Sequence, residues 1–84
     1  MNPYPSKTYI GVTSYTDPEG KIVPLSITWG DGRTFEVDRV TDIRRAASRA
    51  GGAGVRFTCL FSGRERYLFL EDSGRWFIEV LPAY

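Results

Sequence analysis

The stretch Trp29-Gly30-Asp31-Gly32-Arg33-Thr34-Phe35 sets two glycines around an aspartate, between two runs in which apolar and polar residues alternate. A corner of this kind joins antiparallel strands, and the alternation on either side fixes its length. Val23, Leu25, Ile27 and Trp29 alternate with Pro24, Ser26 and Thr28, which marks one face of a half-buried strand. Phe35 and Val37 can join Ile27 and Leu25 on that face only if the loop holds an odd number of residues. Gly30-Asp31-Gly32 satisfies this as a type I turn followed by Gly32 at positive φ. A two-residue Asp31-Gly32 turn would pair Trp29 with Thr34 and send the aromatics to opposite faces.

The same logic extends outward in both directions. Residues 1–6, with two prolines, form a flexible arm, and residues 7–84 form one β domain. Residues 7–16 are rich in Thr, Tyr, Ile and Val and read as a strand. Asp17-Pro18-Glu19-Gly20 is a four-residue turn pairing Thr16 with Lys21, which places Ile10 and Val12 on the core face and Tyr9 and Tyr15 opposite. Pro24 has no N–H for a ladder, so its stretch belongs at an edge or a bulge.

Residues 38–50 admit two readings. One is a bent strand with a bulge near Asp38-Arg39, continuing to about Arg45; the other is a short helix over 41–50 capped by Thr41. The bent strand is preferred, because nothing between Phe35 and Val40 breaks an extended chain. Ala50-Gly51-Gly52-Ala53-Gly54 then reads as a flexible loop. Corners at Ser62-Gly63-Arg64 and Ser73-Gly74-Arg75 resemble the first. Between and beyond them lie strands at about 55–61, 66–70 and 76–81. The expected fold is all-β: about six antiparallel strands in a meander that curls into a small SH3-like or partly open barrel.

Composition narrows the chemistry. The 84 residues carry 42% hydrophobic residues and a net charge of +1, enough for one folded domain and too neutral for a strong non-specific polyanion binder. Histidine is absent, which removes the commonest general base and metal ligand. The single Cys59, between Phe57 and Phe61, reads as a core thiol. Acids are scattered, and the glycine cluster at 51–54 lacks the Lys-Ser/Thr of a phosphate loop. These features point away from an enzyme, and no cofactor or metal is implied. With no apolar run of membrane-spanning length, no secretory leader pattern and no disulfide, the expectation is a soluble cytoplasmic protein.

Two surfaces are candidates for binding. Arg39, Arg44, Arg45, Arg49 and Arg56 against Asp42 give residues 39–56 a charge of +4, which leaves −3 on the rest of the chain. Guanidinium forks suit phosphate, so nucleic acid is one partner to consider; cross-strand pairing with nearby acids is the plainer explanation. The second surface comes from the last hairpin. A three-residue turn there puts Phe69 opposite Phe77 on one face and Leu68, Leu70, Trp76 and Ile78 on the other; a two-residue Ser73-Gly74 turn would instead sort Tyr67, Phe69, Trp76 and Ile78 together and leave Leu68, Leu70 and Phe77 outside. Both faces are apolar, so one needs a cover: the N-terminal strands, the 41–50 segment, or a homodimer or protein partner.

The run Trp29-x-Asp31-Gly32-Arg33-x-Phe35-x-Val37-Asp38-Arg39-Val40-x-Asp42-x-Arg44-Arg45-Ala46-Ala47-Ser48 continues into Gly54-x-Arg56-Phe57-Thr58-Cys59. Gly63-Arg64-Glu65-Arg66-Tyr67-Leu68-Phe69 and Gly74-Arg75-Trp76-Phe77 follow. Over residues 22–80 this resembles a family of small uncharacterised bacterial β-proteins, a resemblance that implies no activity. The Trp-x-x-Gly-Arg-x-aromatic-x-Val pattern is also distantly similar to a small β-domain that accompanies DNA-repair polymerases in some bacteria. The sequence thus supports a non-enzymatic binding or protein-interaction module, with a nucleic-acid-binding accessory domain as the alternative.

Overall fold

The computed structural model describes residues 6–80, and within them the protein is all-β. Seven strands follow one another: β1 (Ser6–Thr16), β2 (Ile22–Thr28), β3 (Thr34–Glu36), β4 (Arg39–Ala47), β5 (Ala53–Phe61), β6 (Arg64–Leu70) and β7 (Trp76–Val80). All pairings are antiparallel, in the order β3-β2-β1-β7-β6-β5-β4. Every sequence neighbour pairs except β3 with β4, which form the two edges. The meander is thus closed by β1 against β7 and left open at a seam.

The seam is narrow at one end. Only Val37 and Asp38 separate Glu36 from Arg39, so these residues lie within about 11 Å of each other. Val37 N–H donates to the Leu25 carbonyl on one edge (2.9 Å) and Asp38 N–H to the Leu60 carbonyl on the other (2.8 Å). The sheet therefore curls into a partly open barrel. This is the bent strand of the sequence reading, broken into β3 and β4 at residues 37–38. No helix forms over 41–50.

Closure is carried by β1, which pairs through Ser6–Ile10 with β7 and through Gly11–Thr16 with β2. It thereby brings Ile27 into one buried cluster with Phe57, Cys59, Leu68 and Ile78, residues several strands away in the sheet order. Leu68, Leu70, Trp76 and Ile78, a candidate partner face, line this core instead. Leu68 and Ile78 are 0% and 4% exposed within the single chain, and Leu70 and Trp76 pack against the cluster. The N-terminal strands supply the cover.

Four of the five hairpins use one corner. The N–H of Asp17, Trp29, Ser48 and Glu71 donates to the carbonyl of Lys21, Arg33, Gly52 and Arg75 respectively. In each, a glycine at positive φ (Gly20, Gly32, Gly51, Gly74) donates back to the first residue. The three-residue loop read at Gly30-Asp31-Gly32 is present, with Gly32 at φ 89° and Ile27 opposite Phe35. The loop at 72–74 follows it, giving the Phe69–Phe77 pair. Ser62-Gly63 is a different corner: a two-residue turn with both residues at positive φ, as type I′ requires.

Three local expectations are corrected. The first turn pairs Thr16 with Ile22, because Asp17 Oδ1 accepts the N–H groups of Glu19 (2.9 Å) and Lys21 (2.8 Å) and closes a shorter loop. The ladder then shifts where Ser14 meets Pro24, leaving Leu25 bulged out and 48% exposed while Pro24 is buried. A proline with no N–H to pair sits comfortably there. Residues 50–54 are no flexible loop: Arg49-Ala50-Gly51 is a tight turn, and Ala53 and Gly54 already belong to β5. As for the arm at 1–6, Ser6 belongs to β1 and residues 1–5 lie outside the described residues.

That turn covers the outer face. Ser48 Oγ (3.0 Å) and Arg49 N–H (3.1 Å) donate to Glu79 Oε1 on β7, and Gly52 lies against the Lys7 ammonium on β1. Beneath it Phe69 stacks on Phe77, and Tyr9 meets Phe77 edge-on at 6.0 Å. The sheet thus buries aromatic groups on both faces.

Candidate functional site: an aromatic–arginine cleft

The five arginines of the basic segment do not converge. Arg44 Nε donates to Asp42 Oδ2 at 2.7 Å, and Arg56 approaches the same carboxylate at 3.8 Å while lying over the Tyr67 ring at 4.5 Å. Arg45 reaches across to Asp72 at 2.9 Å. Arg44 and Arg56 are opposite each other on β4 and β5, whereas Arg39 starts β4 and Arg49 lies in the turn at its end. The Asp42 carboxyl is held below its ordinary range chiefly by the Arg44 hydrogen bond, which outweighs partial burial. Three of the five are therefore engaged with acids, although only the Arg56–Asp42 approach is a cross-strand pair; Arg44 meets Asp42 along its own strand and Arg45 meets a turn residue.

Unengaged arginines occur elsewhere, beside exposed aromatic surface. Trp29 and Phe35, from the β2–β3 corner, face Phe61, Arg64 and Arg66 of the β5–β6 hairpin across a cleft of about 220 Å³ floored by Ile27 and Ile78. Phe35 is 42% exposed. The cleft continues past Trp29, Arg66 and Ile78 toward Glu79 and Val80, adding a further space of about 200 Å³. Among the described residues no carboxylate lies within 4.0 Å of the Arg64 or Arg66 guanidinium. Arg66 makes one hydrogen bond, from Nη1 to the Glu65 carbonyl at 2.8 Å. Among the described residues its remaining donors, and those of Arg64, have no side-chain partner.

The fold explains this placement. Gly32 at positive φ sets Trp29 and Arg33 opposite each other, which directs the β2–β3 corner over the barrel mouth. The tight Ser62-Gly63 turn sets Phe61 opposite Arg64 on the facing lip. Asp38 ties the lips together through the seam, its Oδ2 accepting the Ser62 N–H at 2.6 Å. Asp31 rigidifies the first corner by accepting both the Arg33 N–H (3.0 Å) and its Nε (2.7 Å), bonds that keep the Asp31 carboxyl below its ordinary range. Glu79, at the far end of the cleft, has one carboxylate oxygen committed to Ser48 and Arg49.

Sequence reasoning did not single out this set. Its signal was an aromatic residue and an arginine flanking each Gly corner, visible at Trp29/Arg33 and Phe61/Arg64; only the curl of the sheet shows that the two corners face each other. Cys59 is fully buried and its thiol is pushed up to about 12 by burial. Among the described residues no three His, Cys, Asp or Glu side chains cluster as metal ligands, and no helix is long and apolar enough to cross a membrane. No protein-family model, curated protein or solved structure matches the chain.

Proposed function

We propose that the protein is a non-enzymatic binding module whose cleft takes up single-stranded nucleic acid, with a base against Trp29, Phe35 or Phe61 and the adjoining phosphates on Arg64 and Arg66. One observation carries the reading: two arginines with no carboxylate partner among the described residues stand beside three aromatic rings in one open cleft. A flat π-surface with a cationic rim is what a stacked base and its phosphate need, and stacking of this kind is worth about 1–3 kcal/mol per base. Arg is suited to this role because its planar fork matches phosphate oxygens and stays charged. A non-enzymatic role fits a chain that has no histidine and keeps its one thiol in the core.

The test is a fluorescence titration of the full chain with a poly-dT oligonucleotide of about 12 nucleotides at several salt concentrations. Binding at low salt is expected, with Trp quenching. In Arg64→Ala/Arg66→Ala the slope of log K against log[salt] should become shallower by about 1.4, corresponding to two phosphate contacts at ~0.7 each. No binding at low salt, or an unchanged slope in the double variant, contradicts the proposal.

A further inference from the structure

The free edge of β4 is self-complementary, and we infer that it pairs with a second copy of this chain in antiparallel register about Ile43. The backbone supplies the first observation. Ser48 N–H donates to Gly52, so the two-residue alternation of an antiparallel ladder directs the polar groups of Ala46, Arg44 and Asp42 at β5. Those of Ala47, Arg45 and Ile43 point outward, and among the described residues β4 is the terminal strand of the sheet. A ladder partner must therefore pair with the odd-numbered residues.

Charge supplies the second. With Ile43 opposite Ile43 of the second copy, Asp42 of each chain faces Arg44 of the other, twice by symmetry. Both side chains stand on the outer face, as their pairing with Thr58 and Arg56 shows. The neighbouring registers that keep the same hydrogen-bonding parity are unfavourable. A shift one way sets Asp42 against Asp42; the other way sets Arg44 against Arg44, and a further step sets Arg45 against Arg45. Like charges directly opposite each other destabilise a sheet pair. Of these four registers, only the one centred on Ile43 avoids a like-charge pair and sets opposite charges against each other.

Shape supplies the third. Ile43 is 39% exposed on the inner face, and with Val40 and Lys21 it lines a groove of about 450 Å³ along the seam. In the symmetric register two Ile43 side chains meet there. Strand addition of this type draws affinity from main-chain hydrogen bonds and specificity from the alternating side chains. The interface is isologous, as a two-fold axis requires.

The experiment is air oxidation of the full-length Ile43→Cys variant, read on a non-reducing gel. Opposed residues in a hydrogen-bonded pair have Cα atoms about 5.5 Å apart, within disulfide range. The native Cys59 is buried and takes no part. A covalent dimer is expected from Ile43→Cys, and little from Ala47→Cys, which lies four residues from the two-fold axis and whose counterpart falls beyond the bulge at Thr41. On the native background, Asp42→Arg should weaken dimerisation measured by analytical ultracentrifugation by about tenfold, and Asp42→Arg/Arg44→Asp should restore it. A wild-type chain that stays monomeric at millimolar concentration overturns the inference. So do equal cross-linking of the two cysteine variants and a double exchange that fails to restore association.

Discussion

Phe69 and Phe77 stack face to face, ring centroids 4.9 Å apart and planes 3° from parallel, on the side of the sheet turned away from Ile27. Both are buried. On that side the β4–β5 turn contacts Glu79 and Lys7, and the Lys7 ammonium lies over the Phe77 ring at 4.5 Å. A stacked aromatic pair is worth about 0.5–1.5 kcal/mol beyond the area it buries, so this turn does more than connect two strands.

Gly54 permits that arrangement. A Cβ there would be driven into the Leu70 carbonyl oxygen, with the Leu70 carbonyl carbon at 3.0 Å and the Glu71 Cα at 3.3 Å. These are backbone atoms and cannot rotate aside. Gly54→Ala should therefore lower unfolding free energy by about 2 kcal/mol or more in urea titration.

Gly30 and Gly32 flank the same aspartate and should respond oppositely. Gly32 sits at φ 89°, where a side chain is strained even though the space is open. Gly32→Ala should destabilise by about 1–2 kcal/mol. Gly30 has open space and no such φ, so Gly30→Ala should be neutral or stabilise by up to about 1 kcal/mol through the unfolded chain.

Much of this architecture was legible because side-chain parity is discrete. The odd loop at Gly30-Asp31-Gly32 followed from Ile27 and Phe35 needing one face, whereas the last hairpin had two readings and the structure takes the three-residue one, with Phe69 opposite Phe77. What escaped was long-range. The bulge at Leu25 depends on Pro24 meeting a partner strand, and the tight turn at 49–51 looked like a glycine-rich linker. The cover of Leu68 and Ile78 stayed open because nothing local says that β1 changes partners at Gly11 and carries Ile27 over them. The cleft escaped for the same reason: Trp29 and Arg66 are 37 positions apart and meet only when the sheet curls.

Lys7 and Glu71 join β1 to the end of β6 at 3.2 Å, with side chains 23% and 19% exposed, and Tyr9 OH donates to the same oxygen at 3.1 Å. Burial opposes the Glu71 charge, but the Lys7 and Tyr9 hydrogen bonds outweigh it and hold the carboxyl below its ordinary 4.5. Stability from this group is present above about pH 4.5 and is lost as pH falls through the folded value. Lys7 is raised above its ordinary 10.5, first by the Glu71 hydrogen bond, so its contribution is complete below that pH and fades as pH rises through the folded value. Thermal unfolding across pH should show a shallower acid and alkaline decline in Glu71→Gln than in the wild type.

Cys59 reports on opening of the barrel. Its thiol is fully buried, donates to the Phe57 carbonyl at 3.6 Å, and is pushed up to about 12 by burial. At about pH 8 an exposed cysteine is partly thiolate and alkylates readily, whereas this one should not. Iodoacetamide labelling followed by mass spectrometry should track the unfolded fraction as urea is added. Rapid labelling of the folded chain would contradict the packing described for Phe57 and Leu68.

The most direct measurement is a ¹H–¹⁵N chemical-shift titration of the full chain with single-stranded poly-dT at low salt, following backbone amides, the Trp29 indole and the arginine Nε signals. The expected result is a contiguous set of shifts at Trp29, Phe35, Phe61, Arg64 and Arg66, weakening as salt rises. Shifts concentrated on Arg39, Arg44, Arg45, Arg49 and Arg56 instead, or no shifts at all, would contradict the assignment of the cleft as the binding site.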